Sequence, residues 1–234
     1  MGRFQLHLIT EPKRSFAELL AAVRQAVAGG VDWVQLRDKS ASALAMHRQA
    51  AELMLPLPLG EGRGEGFKLS INDRLDVALA CGAAGVHLAG QSLPVADAAA
   101  LAGGRLLVGR SVHGLDEALA AARDGADYVT FGHVFPSTSK PGLEPRGIAQ
   151  LAEIVQAVDV PVLAIGGVNP ANLDQVLATG CAGIAVISAI LSAADPGQAA
   201  AELRRALDAS PHRPRRPFPS QEKAHALNRQ PTAV

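Results

Sequence analysis

Long apolar runs, cysteines, aromatic residues and net charge are all scarce in this chain of 234 residues. No stretch approaches the roughly 18 apolar residues of a membrane-spanning helix, and residues 1–10 lack the apolar segment of a signal peptide. The two cysteines, Cys81 and Cys181, lack metal-ligand spacing and indicate free thiols in a reducing compartment. We therefore expect a cytoplasmic protein with no membrane contact.

The charge balance argues against a nucleic-acid partner. The 22 basic and 22 acidic residues cancel, and the formal net charge is zero. A cluster of arginines occurs at 213–216, in a Pro-rich segment near the end of the chain, where the composition favours a solvated tail.

What is abundant is small and aliphatic. Hydrophobic residues make up 48% of the chain and aromatic ones only 3%, so the core must consist of Ala, Val, Leu and Ile. Short β-type segments alternate with Ala/Leu-rich helical segments, eight of each. The predicted strands are Leu6–Ile9, Trp33–Arg37, Lys68–Ile71, Gly85–Leu88, Leu106–Ser111, Tyr128–Phe131, Pro161–Ile165 and Gly183–Ile187. The predicted helices are Phe16–Ala28, Ser42–Leu53, Arg74–Cys81, Val95–Leu101, Leu115–Asp124, Ile148–Val158, Asn172–Thr179 and Pro196–Leu207.

This alternation of strands and helices predicts a single (βα)8 TIM barrel over residues 1–209. An open doubly wound sheet would need a Gly-rich loop after its first strand, but the glycines suited to phosphate come after strand seven. Two segments do not follow this alternation. The Pro/Gly-rich stretch 55–66 is expected to be an exposed loop insert, and the Pro/Arg-rich stretch 210–234 a disordered tail.

The active site of such a barrel lies at the C-terminal ends of its strands. Gln35 and Arg37 share one face of strand two, and Arg suits phosphate or carboxylate, although an Arg–Asp surface pair explains the same pattern. Asp73 follows strand three, where a helix N-cap and a metal ligand are both open. His133 follows strand six, where a proton-transfer role is open. Gly166, Gly167, Ile187 and Ser188 follow strands seven and eight, the usual phosphate site of these barrels.

Taken together, these segments resemble the thiamine phosphate synthase and TenI family. The matching motifs cover nearly the whole predicted barrel: VQLRDK (34–39), INDRLDVAL (71–79), GVHL (85–88), GRSVH (109–113), DGADYVTFGHVFPSTSKPGLEPRG (124–147), PVLAIGGV (161–168) and AGIAVISAI (182–190). The family has two branches. The synthase joins a pyrimidine pyrophosphate to thiazole phosphate with Mg²⁺, and the thiazole tautomerase moves a proton in a thiazole carboxylate phosphate without metal.

The resemblance implies roles for individual residues, and it also implies a homodimer, although no interface is readable in the sequence. On the synthase branch, Asp73 would bind Mg²⁺. The pyrimidine pyrophosphate and thiazole phosphate would be bound by Gln35, Arg37, Lys39, Asn72, Ser111, Ser137, Ser139, Lys140, Gly167, Ile187 and Ser188.

Two departures from the synthase pattern favour the tautomerase branch. Ser92 stands where the synthase has its second Mg²⁺-binding aspartate, and His133 stands where the synthase has proline. Histidine at this position is the proton-transfer residue of the tautomerase branch. We therefore expect a thiazole tautomerase with His133 as general acid and base and no cofactor. A thiamine phosphate synthase with a weakened metal site is the alternative, and a regulatory protein that binds thiamin intermediates without turnover is a third.

Overall fold

The computed structural model describes residues 2–55, 67–137 and 142–219, in which eight parallel strands form one closed barrel. The strands are β1 (Gln5–Ile9), β2 (Trp33–Leu36), β3 (Lys68–Asn72), β4 (Gly85–Leu88), β5 (Leu107–Val112), β6 (Tyr128–Gly132), β7 (Val162–Ile165) and β8 (Gly183–Val186). The helices are α1 (Phe16–Ala28), α2 (Ala43–Met54), α3 (Leu75–Cys81), α4 (Val95–Ala102), α5 (Leu115–Arg123), α6 (Gly147–Ala157), α7 (Leu173–Ala178), α8 (Ser188–Leu191) and α9 (Pro196–Ala209). Each strand pairs with the next, and β8 pairs with β1. The predicted (βα)8 barrel is confirmed.

One helix is absent from the sequence prediction. Strand β8 ends at Val186, and the predicted strand residue Ile187 instead precedes the four-residue helix α8. Four residues are too few for a hydrophobic period to be recognised. None of the helices in the described ranges is long and apolar enough to cross a membrane.

Local sequence signals account for where the helices begin. Ser15 and Glu18 form a reciprocal capping box at the start of α1. Asp195 caps α9 by accepting a hydrogen bond from the Gln198 amide, and Pro196 occupies the first turn.

The strands have two different faces, as the period of two requires. Leu6, Leu8, Val34 and Leu36 belong to the main apolar cluster that fills the layer between strands and helices. The alternate positions face the barrel interior, and many of them are buried polar or aromatic residues: His7, Trp33, Gln35, Ser70, Asn72, His87, Tyr128 and Thr130. Cys181 is a buried free cysteine, and its burial raises the pKa of its thiol to about 11.

The N-terminal end of the barrel is closed by a segment that the sequence analysis assigned to a disordered tail. That prediction is wrong for residues 210–219, while residues 220–234, like residues 56–66 of the predicted insert, lie outside the described ranges. The Arg215 amide donates to the Gly180 carbonyl at 2.8 Å. The Phe218 ring lies 4.8 Å from Tyr128, 5.0 Å from His7 and 5.6 Å from Trp33, measured between ring centroids. One aromatic side chain therefore anchors a segment whose own composition has no core-forming pattern.

Replacing Phe218 should destabilise the barrel. The ring is half-buried, so Phe218→Ala should lower the free energy of unfolding by about 1–3 kcal/mol, less than a fully buried Phe would lose. Urea unfolding followed by circular dichroism measures this. Leu101→Ala, at a position that is 57% exposed on α4, is the control and should change stability by about 0.5 kcal/mol or less. Equal effects of the two substitutions would show that Phe218 does not close the barrel.

Candidate active site

An open cavity of about 390 Å³ lies at the C-terminal end of the barrel. It extends from the ends of β2 and β3 across to the loops after β7 and β8. Most of the residues predicted from the sequence line it: Gln35, Arg37, Lys39, Asn72, Ser111, His133, Ser137, Gly166, Gly167, Ile187 and Ser188. Asp73 does not line the cavity but is hydrogen-bonded to a residue that does, and Ser139 and Lys140 lie outside the described residues.

Two buried amides at one side of the cavity hold each other in a fixed orientation. The Gln35 Nε2 donates to the Asn72 Oδ1 at 2.7 Å, and the Asn72 Nδ2 donates to the Asp73 Oδ2 at 2.6 Å. Because an amide has distinct donor and acceptor ends, this chain determines which end each side chain presents. The arrangement follows from β2 and β3 being neighbours that both direct these positions into the barrel.

Asp73 does not cap the following helix, so one of the two roles open in the sequence is wrong. The N-cap of α3 is Arg74, and no side chain caps it. Asp73 has a left-handed φ of 63°, which Asp tolerates better than most residues, and its carboxylate points toward the end of β4. There its Oδ1 accepts hydrogen bonds from the Ala89 amide, at 2.8 Å, and from the Ser92 hydroxyl.

These contacts determine how many acceptor positions of Asp73 remain for a metal ion. Three donors occupy the Asp73 carboxylate, which offers about four acceptor positions. Within the described ranges no group of three His, Cys, Asp or Glu side chains could hold a metal ion. Mg²⁺, however, commonly takes one protein carboxylate and completes its shell with water and substrate phosphates. The residues therefore fit a Mg²⁺ ion that takes most of its ligands from water and phosphate, and Asp73 is the carboxylate that could hold it.

His133 is buried at the end of β6, and its ring orientation is defined by two neighbours. Its Nε2 lies 3.1 Å from the Leu143 carbonyl, which can only accept, so Nε2 carries a proton. Its Nδ1 is buried and has no hydrogen-bond partner among the described residues. On the other side, a Cβ at Gly166 would collide with the His133 backbone and Cβ. His133 thus lines the cavity with one ring nitrogen bonded to the Leu143 carbonyl and the other buried beside it.

The opposite end of the cavity is built from backbone. Gly166 and Gly167 have φ values of 97° and 68°, which only glycine adopts without strain. A Cβ at Gly167 would collide with the Pro136 carbonyl, so the glycine also permits the loops after β6 and β7 to pack together. Ile187 and Ser188 lie beside them at the start of α8, where first-turn amides have no partner within the helix. Such amides suit a phosphate.

Four polar side chains line the cavity that the sequence analysis did not assign to a site. They are Glu11, His87, His113 and Thr130. His87 pairs with Asn72 in the barrel register, so the alternation that was applied to Gln35 and Arg37 on β2 could have identified His87 on β4.

Comparison with known proteins agrees with this architecture. The profile of the family described as thiamine monophosphate synthase matches residues 6–190. The thiamine-phosphate synthase of Chloroflexus aurantiacus is 45% identical over 185 residues, which are 79% of this chain and 83% of that protein. The corresponding protein of Pyrococcus abyssi is 40% identical over 206 residues, 88% of this chain and 96% of that protein.

Comparison with solved structures indicates the same family. The thiamine phosphate pyrophosphorylase of Pyrococcus furiosus superposes with a TM-score of 0.72 at 35% identity, covering 88% of this chain and 96% of that one. A 3-hexulose-6-phosphate synthase, at 23% identity and a TM-score of 0.66, shares the fold. The family predicted from the motifs is confirmed, and these relatives carry the name of the synthase rather than of the tautomerase. This chain belongs to the thiamine monophosphate synthase family and is an enzyme of thiamin biosynthesis.

Proposed function

We propose that the protein is a thiamine phosphate synthase, which joins a pyrimidine pyrophosphate to thiazole phosphate and releases pyrophosphate. The observation that carries the proposal is the extent of the cavity. It connects the side-chain amides and basic residues at the ends of β2 and β3 with the glycines after β7 and the first turn of α8 after β8. A tautomerase acts on one small phosphorylated ligand, whereas a synthase must hold two at once. The names of relatives that are 40–45% identical support the same choice, against the tautomerase expected from the sequence.

The thiazole phosphate belongs at the backbone end of the cavity. Amides around Gly167 and Ser188 would hold its phosphate through directed hydrogen bonds, with no basic side chain required there. This anchor positions the thiazole ring toward the centre of the barrel mouth. Holding two reactants in contact is itself a large part of the rate enhancement for a joining reaction.

The pyrimidine pyrophosphate belongs at the opposite side. Arg37 is half-buried and Lys39 exposed at the end of β2, where their positive charges would bind the pyrophosphate. As the new bond to the thiazole forms, the bond to pyrophosphate breaks and negative charge moves onto the leaving group, which these cations stabilise. Mg²⁺ held by Asp73 would neutralise part of that charge. Gln35 and Asn72, fixed against each other, would orient the pyrimidine.

A synthase assay tests the proposal directly. Purified protein with pyrimidine pyrophosphate, thiazole phosphate and Mg²⁺ should form thiamin phosphate, detected by chromatography. Arg37→Gln should lower kcat/KM by about 10- to 100-fold, because it removes charge-assisted hydrogen bonds to pyrophosphate. Arg123→Gln, the same substitution at a 76% exposed side chain on α5, should leave activity unchanged. Binding of both ligands without any product would contradict the proposal and favour the regulatory binder.

The neutral residue at position 92 should weaken magnesium binding relative to a carboxylate. Ser92→Asp places a second negative charge beside Asp73 and should lower the Mg²⁺ concentration for half-maximal activity by about tenfold or more. Calorimetric titration of the ligand-free variant with MgCl₂ gives a readout independent of turnover. Ser92→Asn, which adds bulk without charge, is the matched control. Identical Mg²⁺ titrations of the aspartate variant and the wild type would show that this position does not contribute to the metal site.

Thiazole tautomerase activity is the second candidate, and His133 is the observation that favours it. Its side chain lines the cavity, and its Nδ1 has no hydrogen-bond partner among the described residues, so the imidazole is the kind of group that a proton-transfer step requires. If this activity is present, His133→Asn should lower its rate by about 10²- to 10⁴-fold and leave thiazole phosphate binding largely intact. A proton-exchange assay on the thiazole carboxylate phosphate, with calorimetry alongside, separates the two effects. Full tautomerase activity in His133→Asn would exclude His133 as the proton carrier.

A further inference from the structure

Three polar side chains on neighbouring strands form a connected row inside the barrel. The His87 Nε2 lies 2.8 Å from the Ser111 Oγ, and the His87 Nδ1 lies 3.2 Å from the Tyr128 hydroxyl. His87 and Tyr128 are 2% and 1% exposed, while Ser111 is half-buried and lines the cavity. The row therefore runs from the buried interior to the ligand-facing surface.

A glycine makes this row possible. Gly109 on β5 pairs with His87 on one side and with Tyr128 on the other. A Cβ at Gly109 would collide with the Tyr128 ring and its hydroxyl. The missing side chain gives the phenol the space it needs to reach across β5 to the imidazole.

The direction of the hydrogen bonds follows from which groups can donate. His87 is only 2% exposed, and its two ring nitrogens face the Ser111 and Tyr128 hydroxyls rather than a carboxylate, so the ring is buried in its neutral form, with one donor and one acceptor nitrogen. Burial raises the pKa of Tyr128, so the phenol keeps its proton. Within the described ranges, His87 is the hydrogen-bond partner recorded for that phenol, whose ring otherwise packs on aromatic neighbours such as Phe218.

A buried hydroxyl proton without an acceptor is costly, so Tyr128 donates to the His87 Nδ1. The proton of the neutral imidazole then lies on Nε2 and is donated to the Ser111 oxygen. With that lone pair occupied, the Ser111 hydroxyl is free to donate its own proton into the cavity. The order of donors and acceptors along the row thus determines that Ser111 donates toward the ligand.

We propose that Tyr128 and His87 are positioning residues that fix Ser111 as a hydrogen-bond donor, so that this part of the cavity selects a ligand atom that accepts a hydrogen bond. The inference rests on the proposed function in treating the cavity as the substrate site. Ser111 is linked through His87 to Asn72, which is the partner of His87 in the β3–β4 register and lies where the pyrimidine pyrophosphate is placed. The acceptor therefore belongs to that substrate and not to the thiazole phosphate.

The tautomer of His87 is measurable in the ligand-free protein. With ¹⁵N-labelled histidine, the spectrum should show a protonated Nε2 and an unprotonated Nδ1 for His87, assigned by the loss of its signals in His87→Gln. Tyr128→Phe removes the donor with little change in shape, and the His87 signals should then shift toward a mixture of tautomers. A protonated Nδ1 in the wild type would overturn the inference. This measurement does not depend on turnover, so absence of synthase activity would reject the proposed function without deciding the tautomer.

A double-mutant cycle tests whether the row acts through Ser111. Tyr128→Phe and Ser111→Ala should each weaken binding of pyrimidine pyrophosphate, measured by calorimetry, by about 3- to 10-fold. In the Ser111→Ala background, Tyr128→Phe should have no further effect. Thiazole phosphate binding should be unchanged in both single variants. An undiminished effect of Tyr128→Phe in the double variant, or equal weakening of thiazole phosphate binding, would mean that Tyr128 has only a structural role.

Phe218→Leu is the matched control for packing. It loosens the contact with the Tyr128 ring from the other end of the barrel but leaves the hydroxyl in place. It should lower the unfolding midpoint and leave both the His87 tautomer and pyrimidine pyrophosphate binding as in the wild type. A changed tautomer in this control would show that ring packing, and not the hydroxyl, determines the proton position, which would also overturn the inference.

Discussion

The interior of the closed barrel imposes a constraint on which the site depends: a polar side chain there is stabilised by a hydrogen-bond partner on a neighbouring strand. Alternate strand residues point inward, where water is scarce and an unpaired donor or acceptor costs about 1–3 kcal/mol. Two short rows of hydrogen bonds between neighbouring strands meet this requirement, although the Ser70 Oγ and the His7 Nε2 have no partner among the described residues. One row joins Gln35, Asn72 and Asp73, and the other joins Tyr128, His87 and Ser111. Satisfying the interior thereby orients the cavity wall, because each row ends at or beside the ligand space.

The two ends of the barrel differ in the side chains that they carry. At the N-terminal end, aromatic rings pack densely and Phe218 covers them, so that end contributes stability and excludes water from the interior. At the C-terminal end, the same strands terminate in amides, hydroxyls and basic residues around an open cavity. Tyr128 belongs to both regions, since its ring packs on Phe218 and its hydroxyl contacts His87. One side chain therefore contributes to the packing of the N-terminal end and to the hydrogen-bonded row that reaches the cavity.

The sequence predicts features that depend on local pattern and not those that depend on distant contacts. The eight strands and the position of Gln35 or Ser188 near the cavity follow from alternation and from the rule that strand ends gather at one face. The packing of Phe218 does not follow, because its segment lacks periodicity and its three aromatic partners are far away in the chain. The need for glycine at position 109 could not be predicted from the sequence either, because Tyr128 becomes its neighbour only when β5 and β6 pair. The bond between Ser92 and Asp73 likewise needs β3 and β4 to be placed side by side.

That bond also explains how one substitution can change a metal site without disturbing the barrel. Two carboxylates at positions 73 and 92 would repel each other and require a cation nearby. With serine at 92, the repulsion is replaced by a hydrogen bond, and Asp73 is satisfied by Asn72, Ala89 and Ser92 in the absence of any ion. On the proposed function, a divalent ion would have to displace or share these donors, and a pyrophosphate that brings further oxygen ligands would favour that exchange. Metal binding would then depend on the substrate, and this dependence would distinguish the chain from a synthase with two acidic ligands.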